Sequence, residues 1–123
     1  MEINKLTETI IGAAMKVHSA LGPGLLESAY QACLFRELEK QDVSVQSEVL
    51  LPVVYEGETI DVGYRMDLLV DEQVVVELKS VDKVLPIHEA QLITYLKLST
   101  KKVGLLINFN VLHLRDGITR RVN

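Results

Sequence analysis

The stretch that decides the fold is GYRMDLLVDEQVVVELK, at residues 63–79. Two runs rich in apolar and β-branched residues flank the polar tripeptide at 71–73, which is typical of a short hairpin loop. If these residues form the loop, the pairing of the two strands places Asp67 directly opposite Glu77. Opposed side chains project from the same face of a sheet. The stretch therefore predicts an antiparallel hairpin that brings two carboxylates together.

The residues before this hairpin also favour β-structure. Strands are predicted over 49–55, 59–70 and 74–80, with a turn at 56–58, and Pro52 places the first strand at a sheet edge or a bulge. Together the three strands predict an antiparallel meander.

Helical periodicity appears on both sides of the β-rich region. Apolar residues spaced by three and four predict helices over 7–21 and about 25–40, which we expect to pack on the same sheet. Pro86 begins a third predicted helix, which ends at about residue 99. A buried strand over 103–109 follows, and a right-handed crossover makes it parallel to the strand at 74–80. The sheet is therefore predicted to be mixed.

The end of the chain and its length complete the predicted architecture. A short strand is predicted over 111–114, and an irregular or strand-like segment over 118–123. A chain of 123 residues, 48% of them hydrophobic, suits one domain with a sizeable core. We interpret residues 1–123 as a single α/β domain whose helices flank a central mixed sheet with an antiparallel hairpin and one βαβ crossover.

Composition and charge exclude several classes of protein. The net charge of −4 disfavours a general nucleic-acid coat protein. However, residues 1–78 carry 5 Lys or Arg and 14 Asp or Glu, whereas residues 79–123 carry 8 and 3. Any contact with nucleic acid is therefore expected to be local and sensitive to salt. The single cysteine, the lack of a secretory start and the short apolar runs predict a cytoplasmic protein without a membrane segment.

Two charged residues interrupt the predicted central strand. Glu77 and Lys79 lie in the otherwise apolar run 74–79, where an unpaired charge is costly, and both project from the face that carries Asp67. A buried ion pair of Lys79 with either carboxylate, or simple exposure, explains such a pattern without any catalytic role. Two carboxylates beside an ammonium also suit a Mg²⁺-dependent phosphodiesterase, in which the acids hold the metal and the lysine orients water or stabilises negative charge.

Five ordered motifs extend the pattern along the chain. They are GLLESAY at 24–30, GYRMD at 63–67, VELK at 76–79, LPIHEAQ at 85–91 and GLLINF at 104–109. Together they resemble the GxxExxY family of small proteins, which is placed in the PD-(D/E)XK nuclease superfamily. The resemblance implies a restriction-endonuclease-like core and a metal-dependent nuclease activity.

The resemblance also implies roles for individual residues. Asp67 matches the motif aspartate of the superfamily, and Glu77 and Lys79 match its E-x-K pair. Met66 replaces the proline that often precedes the aspartate, which leaves the chemistry of the aspartate in place. Glu27 matches a helical glutamate that contributes to the metal shell in related enzymes.

A helical pair matches a further element of the superfamily. Gln91 and Tyr95 resemble the Q-x-x-x-Y element of exonuclease-like branches, where it holds metal-bound water or the DNA strand. The two lie one helical turn apart, with His88 on nearly the same face. Structural explanations stay open: core packing for Tyr30 and Tyr95, a helix-start position for His88, and an interaction with the helix amino end for Glu27.

Two functions from different classes follow from these residues. The first is a Mg²⁺- or Mn²⁺-dependent nuclease that hydrolyses DNA, with Glu27, Asp67 and Glu77 as metal ligands. The second is a catalytically inactive module of the same fold that binds nucleic acid or protein, and a homodimer is compatible with either. A hydrolase built on the three histidines has little support, because no serine lies in a nucleophile elbow. The candidate catalytic residues are Glu27, Asp67, Glu77, Lys79, Gln91 and Tyr95.

Overall fold

A computed structural model describes all residues, 1–123, as three helices and seven strands. The helices are α1 (Ile3–Leu21), α2 (Glu27–Lys40) and α3 (Pro86–Ser99). The strands are β1 (Val45–Leu50), β2 (Val53–Tyr55), β3 (Glu58–Ile60), β4 (Arg65–Val70), β5 (Val74–Lys79), β6 (Val103–Asn108) and β7 (Ile118–Val122). A short 3₁₀ turn, Leu114–Gly117, precedes β7.

The main sheet has five strands in the order β1-β4-β5-β6-β7. The pairs β1–β4, β4–β5 and β6–β7 are antiparallel, whereas β5 and β6 are parallel and are joined through α3. This arrangement confirms the predicted α/β class with a mixed sheet, an antiparallel hairpin and one crossover. That residues 1–123 form one domain stays a prediction.

The helices cover both faces of the sheet. On one face, α1 and α2 pack against the larger apolar core, as their sequence periodicity predicts. On the other face, α3 contributes Leu92, Tyr95 and Leu96 to a smaller core. Gly104 of β6 permits the close approach of α3, because a Cβ atom there would lie 2.7 Å from a side-chain carbon of Leu92. No helix is both long and apolar enough to cross a membrane.

The hairpin of β4 and β5 has the register that the sequence predicts. Val70 pairs with Val74, and the ladder continues to Leu68 and Val76. The three loop residues at 71–73 include two in left-handed conformation, with φ of 52° and 58°. Because the ladder stops at Leu68 and Val76, the hairpin opens at the next position along each strand.

The first two predicted strands are each interrupted. Residues 51–52 separate β1 from β2, and residues 61–64 separate β3 from β4, so β2 and β3 form a small sheet of their own. A turn explains the second interruption, since the Gly63 N–H donates to Asp61 Oδ1 at 2.9 Å and Gly63 has a φ of 84°. The predicted meander therefore consists of β1, β4 and β5, with the β2–β3 hairpin inserted between its first two strands.

The predicted strand over 111–114 is wrong. The chain bends there and enters the 3₁₀ turn. The carbonyl of Val111 contacts His18 Nε2 at 2.8 Å instead of a neighbouring strand. The free edge of β6 is occupied by β7, which forms part of the predicted strand-like segment at 118–123.

Candidate active site

Asp67 and Glu77 lie where the hairpin opens. The Asp67 N–H donates to Glu77 Oε2 at 2.7 Å, and the Leu78 N–H donates to Asp67 Oδ2 at 2.8 Å. Each carboxylate therefore accepts a backbone hydrogen bond from the strand opposite its own, beyond the end of the ladder. The other two oxygens, Asp67 Oδ1 and Glu77 Oε1, accept no hydrogen bond from the protein and are not sealed from solvent. They are free to bind a ligand.

The pKa values of both carboxyl groups are raised. Glu77 is only 8% exposed, and its burial, followed by the charge of Asp67, raises its pKa to about 8. Burial also raises the pKa of Asp67, with smaller contributions from the charges of Glu48 and Glu27. Burial disfavours the charged form of a carboxyl group, and a second carboxylate nearby adds repulsion. Both raised pKa values mark a site in which positive charge compensates the carboxylates only in part.

Lys79 does not supply that charge through an ion pair. Its side chain is half-buried on the same strand as Glu77, and its charge lowers the pKa of both carboxyl groups. Yet no salt bridge within 4.0 Å joins Lys79 to either Asp67 or Glu77. The structural explanation of this motif as a buried ion pair is therefore wrong, and the ammonium is free for another partner.

Glu27 approaches the pair without joining it. It is the first residue of α2 and is exposed, and its charge is among the causes that raise the pKa of Asp67. No three Asp, Glu, His or Cys side chains converge closely enough to form a metal cage by themselves. Of the three carboxylates predicted to bind metal, Asp67 and Glu77 therefore form a close pair, and Glu27 lies at the edge of this pair.

The loop before Glu27 is held by Tyr30. The Tyr30 hydroxyl donates to the Gly22 carbonyl at 2.6 Å and accepts from the Leu25 N–H at 3.1 Å. Its ring stacks on Phe109, with the ring centres 4.4 Å apart. Tyr30 is fully buried, so the explanation as a core tyrosine is correct, and its hydroxyl fixes the start of α2.

Glu48 is an acidic neighbour that the sequence reasoning missed. It lies in β1 opposite Asp67, where the β1–β4 pairing skips one position, and it has a left-handed φ of 52°. Gln31 Nε2 donates both to Glu48 Oε2 at 3.1 Å and to the Asp67 carbonyl at 3.3 Å. The charge of Glu48 contributes to the raised pKa of Asp67 and of Glu77. The sequence signal was an acidic residue just before the first predicted strand.

Gln91 and Tyr95 form a hydrogen-bonded pair on α3. Gln91 Nε2 donates to Tyr95 Oη at 3.0 Å, and the side-chain oxygen Oε1 of Gln91 accepts no hydrogen bond from the protein. Burial raises the pKa of Tyr95, and the charge of Glu77 adds to this effect. The pair therefore lies within electrostatic reach of the carboxylates. His88 Nδ1 accepts from the Leu85 N–H at 3.0 Å, which fits its interpretation as a helix-start residue.

The available carboxylate oxygens suit an ion such as Mg²⁺, which keeps water ligands, better than a metal whose ligands all come from the protein. Mg²⁺ is usually bound through one or two carboxylates, together with water and substrate phosphates. Asp67 and Glu77 offer two such groups, each with one oxygen free of protein hydrogen bonds. The raised pKa of Glu77 indicates that a cation nearby would relieve an unfavourable buried charge.

Comparison with known proteins identifies the superfamily of the chain. A sequence model of the PD-(D/E)XK nuclease superfamily matches residues 4–121. The match spans both carboxylates, Lys79 and the Gln91–Tyr95 pair, but it does not distinguish the GxxExxY family within the superfamily. No curated protein and no solved structure matches the chain.

Proposed function

Because the chain belongs to the PD-(D/E)XK nuclease superfamily, we propose that it is a divalent-metal-dependent nuclease that hydrolyses phosphodiester bonds of DNA. One observation carries the proposal. Asp67 and Glu77 meet at the open end of a central hairpin, each with a free oxygen, and no basic side chain forms a salt bridge with either of them.

Asp67 and Glu77 are the residues that would hold Mg²⁺ or Mn²⁺. When bound, the ion supplies Lewis-acid polarisation of the phosphate and lowers the pKa of a water ligand. The two backbone N–H groups that donate to these carboxylates fix their orientation. Such fixed ligands require little rearrangement when substrate arrives. Glu27 and Glu48 lie at the edge of the pair and add negative charge that favours a cation.

Lys79 and Gln91 are placed to act on the water and the phosphate. The Lys79 ammonium, which has no carboxylate partner, can stabilise the negative charge that develops on the phosphate oxygens. The free side-chain oxygen Oε1 of Gln91 can accept a hydrogen bond from the attacking water, while Tyr95 holds the side-chain amide in place. These roles complete the proposed catalytic set.

The alternative of an inactive module is less well supported. A structural role alone would not require two carboxyl groups with raised pKa values at the core of the sheet, since such groups destabilise the fold. Membership of the narrower GxxExxY family, which rests on the sequence motifs, is a further proposal. A cytoplasmic location, which rests on the single cysteine, and a homodimer are proposals as well.

Cleavage assays with matched variants test the proposed activity. We expect the purified protein to nick plasmid DNA or degrade labelled oligonucleotides with Mg²⁺ or Mn²⁺ and not with EDTA. Glu77→Ala and Lys79→Ala should each reduce the rate by about 100-fold or more, a typical loss for a group that stabilises transition-state charge. Glu72→Gln, in the exposed loop of the same hairpin, is the control and should retain activity. Cleavage that survives both active-site substitutions would contradict the assignment.

A further inference from the structure

A groove lies between α3 and the chain segments that hold Val53 of β2 and Tyr64. Its volume is about 530 Å³. Ile87, Gln91 and Thr94 of α3 line one side, Tyr64 lines the other, and Tyr95 also contributes to the lining. None of the nine lining residues is acidic, although the chain as a whole has a net negative charge. The lining itself therefore contributes no negative charge that would oppose a phosphate backbone.

Two tyrosine rings give the groove an aromatic surface. The ring centres of Tyr64 and Tyr95 are 6.2 Å apart, and the ring planes are inclined by 51°. Tyr95 is 7% exposed and belongs to the smaller core, whereas Tyr64 is 48% exposed. The backbone of Tyr64 is anchored, because its carbonyl accepts from the Leu51 N–H at 2.9 Å. A fixed backbone thus presents an open aromatic ring beside the groove.

The groove is continuous with the candidate active site through shared residues. Gln91 and Tyr95, which line the groove, form the hydrogen-bonded pair proposed to act on the water. Met66, the neighbour of Asp67 in β4, lies in the same apolar core cluster as Tyr95. The groove and the proposed site therefore share Gln91 and Tyr95, and Tyr64 lies only three residues before Asp67 in the chain.

We propose that this groove binds an unpaired nucleobase next to the scissile phosphate, so that the protein acts on single-stranded nucleic acid or on single-stranded ends. The inference rests on the proposed nuclease function. A base inside a duplex is paired and stacked, and it must leave the helix to reach a pocket. Stacking on aromatic rings tolerates any base, since every base has a π-face. The side-chain oxygen Oε1 of Gln91 and the hydroxyl of Thr94 provide polar groups for the edge of the base.

Binding measurements separate this inference from the question of catalysis. Fluorescence anisotropy with EDTA and, separately, with Ca²⁺ compares a labelled 12-nucleotide single strand with the blunt duplex of the same sequence. We expect the single strand to bind about tenfold more tightly, and Tyr64→Ala to remove roughly this advantage while leaving duplex binding unchanged. Tyr64→Phe should retain it. Tyr55→Ala, which removes an exposed tyrosine of the β2–β3 hairpin that does not line the groove, is the matched control.

A base analogue reports the stacking directly. A single strand that contains 2-aminopurine should lose fluorescence on binding to the native protein and to Tyr64→Phe, but not to Tyr64→Ala. Equal affinity for the two substrates, or unchanged quenching with Tyr64→Ala, would overturn the inference and leave the groove to an apolar protein partner. Quenching without cleavage under any metal would support the groove and contradict the nuclease activity. Cleavage of the blunt duplex at a rate that Tyr64→Ala does not change would support the nuclease activity and contradict the inference about the groove.

Discussion

The two ends of the β4–β5 hairpin are built on opposite principles. Near the loop, Leu68 and Val70 face Val76 and Val74 in a regular ladder, and all four side chains are fully buried. At the open end, the next two residues are carboxylates that bond to backbone N–H groups instead of continuing the ladder. The closed end stabilises the fold, whereas the two buried carboxyl groups of the open end destabilise it. Only one residue step along the hairpin separates the two.

A substitution at the closed end tests the stabilising half of this comparison. Leu68→Ala removes a fully buried side chain and leaves a cavity, so we expect it to lower the free energy of unfolding by about 3 kcal/mol. Urea denaturation followed by circular dichroism measures the change. Leu26→Ala, at a side chain that is 76% exposed, is the control and should change stability little. If Leu68→Ala lowers the free energy of unfolding no more than Leu26→Ala does, the closed end does not stabilise the fold as described.

A substitution at the open end should act in the opposite direction. The pKa of Glu77 is raised from 4.5 to about 8, so between these values the folded protein binds a proton that the unfolded chain has lost. The stability of the metal-free protein therefore falls as pH rises from about 4.5 to 8. Glu77→Gln removes this term and should stabilise the protein at pH 8.5 on the order of 2 kcal/mol, because water at the free oxygens moderates the full effect.

Denaturation curves at pH 5 and pH 8.5 provide the measurement. The variant should gain little at pH 5 and most at pH 8.5, whereas Glu72→Gln should follow the native protein at both values. In the native protein, Mn²⁺ should stabilise more strongly at pH 8.5 than at pH 6, because the metal requires ionised carboxylates. A pH-independent difference between Glu77→Gln and the native protein would show that Glu77 is ionised throughout.

The smallest expected effect concerns Glu48, which lies beside the open end. Glu48→Gln keeps the size of the side chain and removes its repulsion of Asp67 and Glu77. Since Glu48 is exposed, we expect a gain of only a few tenths of a kcal/mol at pH 7 without metal. Calorimetric titration with Mn²⁺ should show weaker binding by severalfold. Unchanged Mn²⁺ affinity would place Glu48 outside the metal environment, and Glu39→Gln is the control.

The sequence predicted this hairpin because the residues of the loop and of the two strands determine the pairing by themselves. A polar tripeptide between two apolar runs sets the register, and the register sets which side chains face each other. Pro86 similarly marks the start of α3, which the structure confirms to the residue. Local chemistry was sufficient wherever neighbouring residues in the chain determine the geometry.

Other parts of the site depend on contacts that local patterns do not encode. Glu48 comes close to Asp67 only because β1 pairs with β4 and because its own backbone is left-handed. The position of Lys79 relative to the carboxylates depends on a side-chain conformation that spacing alone does not fix. The bend after Asn110 depends on His18, which lies more than ninety residues earlier in the chain. Long-range packing therefore decided what the sequence reasoning missed.

The exchanged hydrogen bonds of the open hairpin turn two amide protons into natural spectroscopic probes. The N–H groups of Asp67 and Leu78 point at the carboxylates proposed to hold the metal. Any change in the charge of those carboxylates alters the electron density at the two nitrogens. Their NMR chemical shifts should therefore follow both proton release and cation uptake in solution. The backbone itself would report the state of the site without any added label.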